Sequence, residues 1–224
     1  MVEHIKAVHS VLLVTHVFAG SVGLLAGTVS IVRRKSGRGH RVSGRIFLYA
    51  MTVSALLAVV LFYYGRNVFL LATGVFTLYL VLSSYRAMLH YRHKARTMDF
   101  TFDRFLSAGM MVFSLLLVGL ASLFFYQGSP FGLVPLSFAA IGANGARGDF
   151  RRFRNPPEDR LVWLRVHLGR MTGSYMAALT AFLVNNIYRL GLPGPAVLWW
   201  SLPGLLLAPV LFRWLRKYRR TSTS

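Results

Sequence analysis

The chain of 224 residues contains no cysteine and only six acidic residues. The first absence removes disulfides, thiolate metal sites, iron–sulfur clusters, covalent c-type haem attachment and a cysteine nucleophile. The six acids are Glu3, Asp99, Asp103, Asp149, Glu158 and Asp159, and all fall in the N-terminal segment or between apolar runs. No carboxylate is therefore expected within a span, which argues against a proton relay or a cation site built on buried Asp or Glu. A nucleophile elbow, a catalytic acid pair and a phosphate loop are also missing, and the Gly142 to Gly148 stretch reads as closing a helix rather than opening one. Hydrolase and transferase chemistry lack their parts, and composition assigns no enzymatic activity.

What the chain has in abundance is apolar sequence. Seven stretches run from His9 to Val32, Ser43 to Tyr64, Asn67 to Leu89, Phe105 to Gln127, Pro130 to Ala146, Trp163 to Ile187 and Pro195 to Trp214. Most reach the roughly 20 residues that an α-helix needs to cross about 30 Å of hydrocarbon. Strands are excluded because an open sheet edge in lipid leaves backbone groups unpaired. The expected fold is all-α, a polytopic transmembrane bundle of seven helices. Pro203 and Pro209 are expected to kink the last helix, and Pro135 the fifth.

Positive charge sets the expected orientation. Of the 26 Lys and Arg residues, 22 fall on one side of the zigzag: Arg33 to Arg45, Arg86 to Arg104, Arg147 to Arg165, and Arg213 to Arg220. Lys6, Arg66 and Arg189 lie on the other side, and Arg170 lies within the sixth run. By the positive-inside rule the N-terminus is outside and the C-terminus cytoplasmic. Aromatic belts agree, with Tyr63, Tyr64, Tyr126, Trp199 and Trp200 outside and Tyr85, Tyr91, Trp163 and Trp214 inside. With seven spans and short loops, residues 1–224 read as a single transmembrane domain. The first apolar run is too long for a signal-peptide core and is expected to stay as an anchor. The formal charge of +20 is spread over four juxtamembrane segments with no recognition helix, so anionic lipid headgroups at the cytoplasmic face are the expected partners and nucleic acid is not.

Candidate site residues lie where polar and small side chains share a helix face. His16, Gly20, Gly23 and Gly27 are spaced by four, three and four residues, which lines them up at 3.6 residues per turn. Such a stripe suits close packing of another helix, with Gly23 and Gly27 as a small-xxx-small motif. It also suits a porphyrin lying on the glycines with His16 as axial ligand. In the sixth run His167, Met171, Ser174, Ala178, Ala181 and Asn185 share a face, with Arg170 beside it. Arg170, roughly 10 Å along that helix, either snorkels to the inner headgroups or holds an anion such as a haem propionate. His40, His90, His93 and His167 sit at the inner side, where a pair could clamp a b-type haem or a metal. His16 has only His4 and His9, at or beyond the outer edge, as mates, so a di-haem arrangement is not expected.

The segment from His16 to Met51 reads His-x3-Gly, a glycine-rich continuation, Arg33-Arg34-Lys35, then His40-Arg41-x2-Gly44-Arg45 and Met51. With His167-Leu168-Gly169-Arg170-Met171, Ser174-Tyr175 and Trp200-x2-Pro203, it resembles a bacterial family of predicted seven-helix membrane proteins of unknown function. The resemblance covers most of the chain and implies a multi-pass protein of the bacterial inner membrane with no established activity. It groups His16, His40 and His167.

Three functions compete. The first is a haem- or quinone-associated redox membrane protein with one ligand site among helices 1, 2 and 6, drawing on His16, His40, His90, His167, Arg170 and Met171. The second is a non-catalytic subunit or assembly factor of a membrane complex, motivated by minimal loops and an Arg-rich inner face. The third is a small-molecule transporter lined by the sixth, first and seventh helices.

Overall fold

A computed structural model describes residues 2–35, 37–92, 99–187, 189–191, 194 and 196–220. His93, Lys94, Arg96 and Pro195, invoked above for ligation, topology or the start of the seventh run, lie outside the described residues. Among those described there are seven α-helices and no strand: α1 (Val2–Val32), α2 (Arg38–Gly65), α3 (Val68–Arg92), α4 (Thr101–Tyr126), α5 (Leu133–Arg154), α6 (Leu161–Asn186) and α7 (Ala196–Arg220). A 3-10 turn, Pro130–Gly132, precedes α5. Five helices are long and apolar enough to cross a membrane: α1, α2, α3, α4 and α7.

Among the described residues α5 and α6 fall outside that set, although both are continuous helices of 22 and 26 residues. The apolar run that ends at Ala146 continues as helix for two further turns through Arg147, Asp149, Arg151, Arg152 and Arg154. Helix beyond the apolar runs thus buries two acids that sequence alone assigned to the segments between them. Asp149 is 1% exposed within α5, and Asp103 in the first turn of α4 is 4% exposed. An apolar run marks where hydrocarbon-compatible sequence stops, whereas a helix continues as long as its charges have partners.

The chain divides into two compact units, residues 1–85 with 165–224, and residues 86–164. In unit 2 the buried positions of α4 are Asp103, Ser107, Met110, Ser114, Leu117 and Ala121, and those of α5 are Pro135, Ala139, Gly142, Ala146, Asp149 and Phe153. Both sets repeat by four and three, the seam spacing of paired helices. Small residues on α5 let the backbones approach: a Cβ on Gly142 would sit 2.1 Å from the Met110 methyl and 3.0 Å from Ser114 Oγ. Ser107 Oγ donates to Asp149 Oδ2 at 2.9 Å across the same seam.

Unit 1 is centred on Tyr175 of α6. Ala26, Phe47, Leu48, Met51 and Val81 bury themselves with it, and Met171, Ala178 and Leu207 pack around them. Tyr175 and Thr28 join α6 to α1 through their hydroxyls at 2.7 Å. A two-residue connection, Arg66 and Asn67, joins α2 to α3: Arg66 closes α2 in the left-handed region at φ 52, and the Asn67 carboxamide oxygen accepts from Leu70 N at 3.1 Å. The far ends of α1 and α7 meet where the Lys35 ammonium lies 3.8 Å from the Trp214 ring centroid. Lys35 also donates to the carbonyls of Ser30 and Ile31 at 3.1 and 3.0 Å, filling orphan acceptors in the last turn of α1. Burial pushes its pKa down from 10.5 to about 8.

Candidate functional site

Three of the histidines singled out by sequence make the same kind of contact. His16 Nδ1 on α1 lies 2.8 Å from the carbonyl oxygen of Ser54 on α2. His167 Nδ1 on α6 lies 3.2 Å from the carbonyl of Ser84 on α3. His40 Nδ1 on α2 lies 3.0 Å from the carbonyl of Ser30 on α1. A carbonyl oxygen only accepts, so Nδ1 carries the proton in each case and the lone pair resides on Nε2.

The serine hydroxyls complete two of these contacts in matching fashion. Ser54 Oγ donates to the His16 carbonyl at 3.2 Å, and Ser84 Oγ donates to the His167 carbonyl at 3.0 Å. Each imidazole also has its partner's hydroxyl within 3.2 Å of Nδ1. These hydroxyl protons are committed to carbonyls, and the neighbouring ring nitrogen is itself a donor. Neither pair can therefore work as a serine nucleophile with a histidine base, which needs an unprotonated nitrogen facing the hydroxyl.

The glycine stripe of α1 is covered by side chains. A Cβ on Gly20 would meet Ser54 Oγ at 3.2 Å, on Gly23 the Met51 sulfur at 2.6 Å, and on Gly27 the Tyr175 and Phe47 rings at 2.5 and 2.9 Å. Helix packing thus occupies the face on which a porphyrin plane was one of the two expected occupants. Met171 sits at the edge of the same apolar cluster. Arg170, 9% exposed, donates from Nη2 to the Tyr79 hydroxyl at 2.9 Å, with its guanidinium 5.0 Å from the Tyr79 ring centroid.

His90 belongs to a different cluster, in unit 2. It is fully buried between Phe100 and Trp163, with ring centroids 4.9 and 4.7 Å away. Its Nε2 lies 3.4 Å from Asp103 Oδ2. Arg86 reaches the same carboxylate from Nε at 3.1 and 3.0 Å and from Nη2 at 2.6 Å, a bidentate geometry. Beside it, Asp99 Oδ1 accepts from the hydroxyl and backbone N–H of Thr101 at 2.6 and 2.8 Å, and these bonds hold its pKa below the usual carboxylate value. His90 therefore does not share a unit with His16, His40 and His167, and its Nε2 faces a carboxylate.

Asp103, Asp149, Arg86 and Ser107 were not among the candidates. The signal that would have found them is the four-three spacing of Asp103, Ser107, Met110 and Ser114, matched by Ala139, Gly142, Ala146 and Asp149 in α5. Among the described residues no group of three or more His, Cys, Asp or Glu side chains is placed to hold a metal ion. No protein family, curated protein or solved structure matches the chain.

Proposed function

We propose that the chain is a multi-pass protein of the bacterial inner membrane, N-terminus outside and C-terminus cytoplasmic, that takes part in redox chemistry through an imidazole-ligated group, a b-type haem being the first choice. The observation that carries this reading is the protonation pattern shared by His16, His40 and His167. Ligating histidines commonly donate their other ring N–H to a backbone carbonyl, which fixes the tautomer, orients the ring and raises its basicity. Three imidazoles on α1, α2 and α6 have that arrangement.

The donor chemistry fits a haem, but the glycine face does not, so the group is assigned to the inner-side pair, His40 and His167. His90 is left out because it lies in unit 2, where its Nε2 faces the Asp103 carboxylate at 3.4 Å. Arg170, one turn beyond His167, would hold a propionate. A bound haem would supply one-electron transfer; His40 and His167 would hold it through the Nε2 lone pairs, and Arg170 would neutralise a propionate. A quinone would use the same lone pair as an acceptor for its hydroquinone O–H.

The test is a reduced-minus-oxidised absorbance spectrum of the protein purified in detergent after haem-replete expression. Soret and α-bands are expected in the parent and in His90→Leu, and are expected to be lost in His40→Leu and His167→Leu. A parent protein without a Soret band would sink the haem assignment, and quinone extraction from the same sample would then decide the rest.

A further inference from the structure

Unit 1 holds a single acid, Glu3, whereas Asp99, Asp103, Asp149, Glu158 and Asp159 all fall in unit 2. Glu3 is in the first turn of α1, roughly 45 Å along the helix from Arg33 at 1.5 Å per residue. The basic residues of unit 1 gather at the opposite end. Arg33, Arg34, Arg38 and Arg41 come from the α1–α2 turn, and Arg213, Arg216 and Lys217 from the last turns of α7, and all of them are exposed.

One cationic contact joins these two segments, and a second pins α7 to α6. Lys35 ties the end of α1 to Trp214 of α7, and Arg165 at the unit's edge of α6 donates to the carbonyl of Tyr218 at 2.9 Å. The turn is itself compact, with the Arg33 side chain 3.6 Å from where a Cβ on Gly39 would lie. Lys35 and Arg165 are thus spent on holding helices together, and the one acidic side chain of unit 1, Glu3, lies at the far end of α1 from the seven exposed cations around them. Unit 2 differs, because Arg86 is spent on Asp103, Arg152 on Asp149 and Arg160 on the carbonyl of Tyr91.

We propose that this end of unit 1 is a binding surface for the phosphodiester headgroup of an anionic phospholipid, with Arg33, Arg34 and Arg38 of the turn and Arg213, Arg216 and Lys217 of α7 as its contacts. The proposal rests on the membrane placement of the chain and is independent of any haem. Charges that serve only to orient a chain during insertion need no joint surface and no discrimination between lipids afterwards. Here they come from two segments far apart in sequence that the Lys35–Trp214 contact ties together, at the end of unit 1 away from Glu3 and beside a Trp ring and a Lys stem suited to headgroup depth.

The experiment uses the full chain in mild detergent, with phosphatidylglycerol, phosphatidylcholine of the same acyl chains, or inorganic phosphate added, read by native mass spectrometry and by thermal melting. Phosphatidylglycerol is expected to stay bound and to raise the melting temperature, and phosphatidylcholine to do neither. Arg34→Gln/Arg38→Gln should weaken phosphatidylglycerol binding roughly thirtyfold at low salt, since each basic residue near a lipid surface contributes about 1 kcal/mol. Arg213→Gln/Arg216→Gln should do the same from the other segment, which keeps the test open if the first variant folds poorly. Arg151→Gln/Arg154→Gln, exposed in unit 2, should change nothing. Equal retention of both lipids, an equal loss in the unit 2 variant, or full protection by inorganic phosphate would each overturn the proposal. A chain that stays dispersed without detergent would instead overturn the membrane placement.

Discussion

Gly23 and Gly27 stand four residues apart on α1, yet the atoms that face them differ in kind. The space beside Gly23 is filled by the sulfur and Cγ of Met51, an unbranched side chain that can rotate away. Gly27 faces the edges of Tyr175 and Phe47, rigid rings locked in the centre of the unit 1 core. Gly109 on α4 has nothing within 4 Å of an added methyl. Forcing a methyl into a packed core costs about 1–3 kcal/mol, whereas replacing an open helical glycine by alanine returns up to about 1 kcal/mol. Thermal melts in one detergent should therefore rank Gly27→Ala as the most destabilised, Gly23→Ala as intermediate, and Gly109→Ala as equal to the parent or better. Equal melting temperatures for Gly27→Ala and Gly109→Ala would mean that the Tyr175 core is not packed as described. The stripe containing these glycines was legible from spacing alone. The neighbour was not, because Tyr175 reaches it from a helix nearly 150 positions further along the chain.

Among the five candidate spans, α7 is the least buried. Only 6% of the residues in its apolar window are buried, against 50% for α3, and it contains Pro203 and Pro209, each of which removes a backbone hydrogen bond. Its contacts include Trp200 edge-on to Phe69 with centroids 5.3 Å apart, Leu207 on the core, Trp214 under Lys35, and the Tyr218 carbonyl on Arg165. Local opening is easiest where burial is low and backbone bonds are missing. Amide hydrogen exchange in detergent should be faster through the middle of α7 than through the middle of α3, and Lys35→Met should speed it further at the Trp214 end. Protection in α7 matching that of α3 would contradict this. Helix existence was readable from apolar run length, because backbone satisfaction in hydrocarbon leaves little choice. The ends of α5 were not, since Arg147 to Arg154 look like loop residues until Asp149 is seen paired with Ser107 and Arg152. The same reasoning hid the Arg86–His90–Asp103 cluster: a charge near the end of an apolar run reads as solvated unless its partner is known.

On the scale of the whole molecule, the absence of cysteine becomes an experimental advantage. Every thiol placed in this chain is the only one it has, so a membrane-impermeant maleimide reports the side of a single position. Gln127, between α4 and the 3-10 turn, and Glu158, between α5 and α6, are both exposed. The charge asymmetry of the loops predicts opposite sides of the membrane for them. Near Gln127 there is no Lys or Arg from Leu106 to Ala146, while Glu158 is flanked by Arg154 and Arg160. Since the bias of basic residues in short loops sets orientation, Gln127→Cys should label from outside in intact cells, and Glu158→Cys only after the inner membrane is opened. The pair also tests the less apolar members of the set, because only α5 and the turn before it separate the two positions. Labelling of both from the same side would mean that α5, whose last two turns hold four arginines and a buried aspartate, does not cross. The chain would then have an even number of spans, and its two ends would share one side of the membrane.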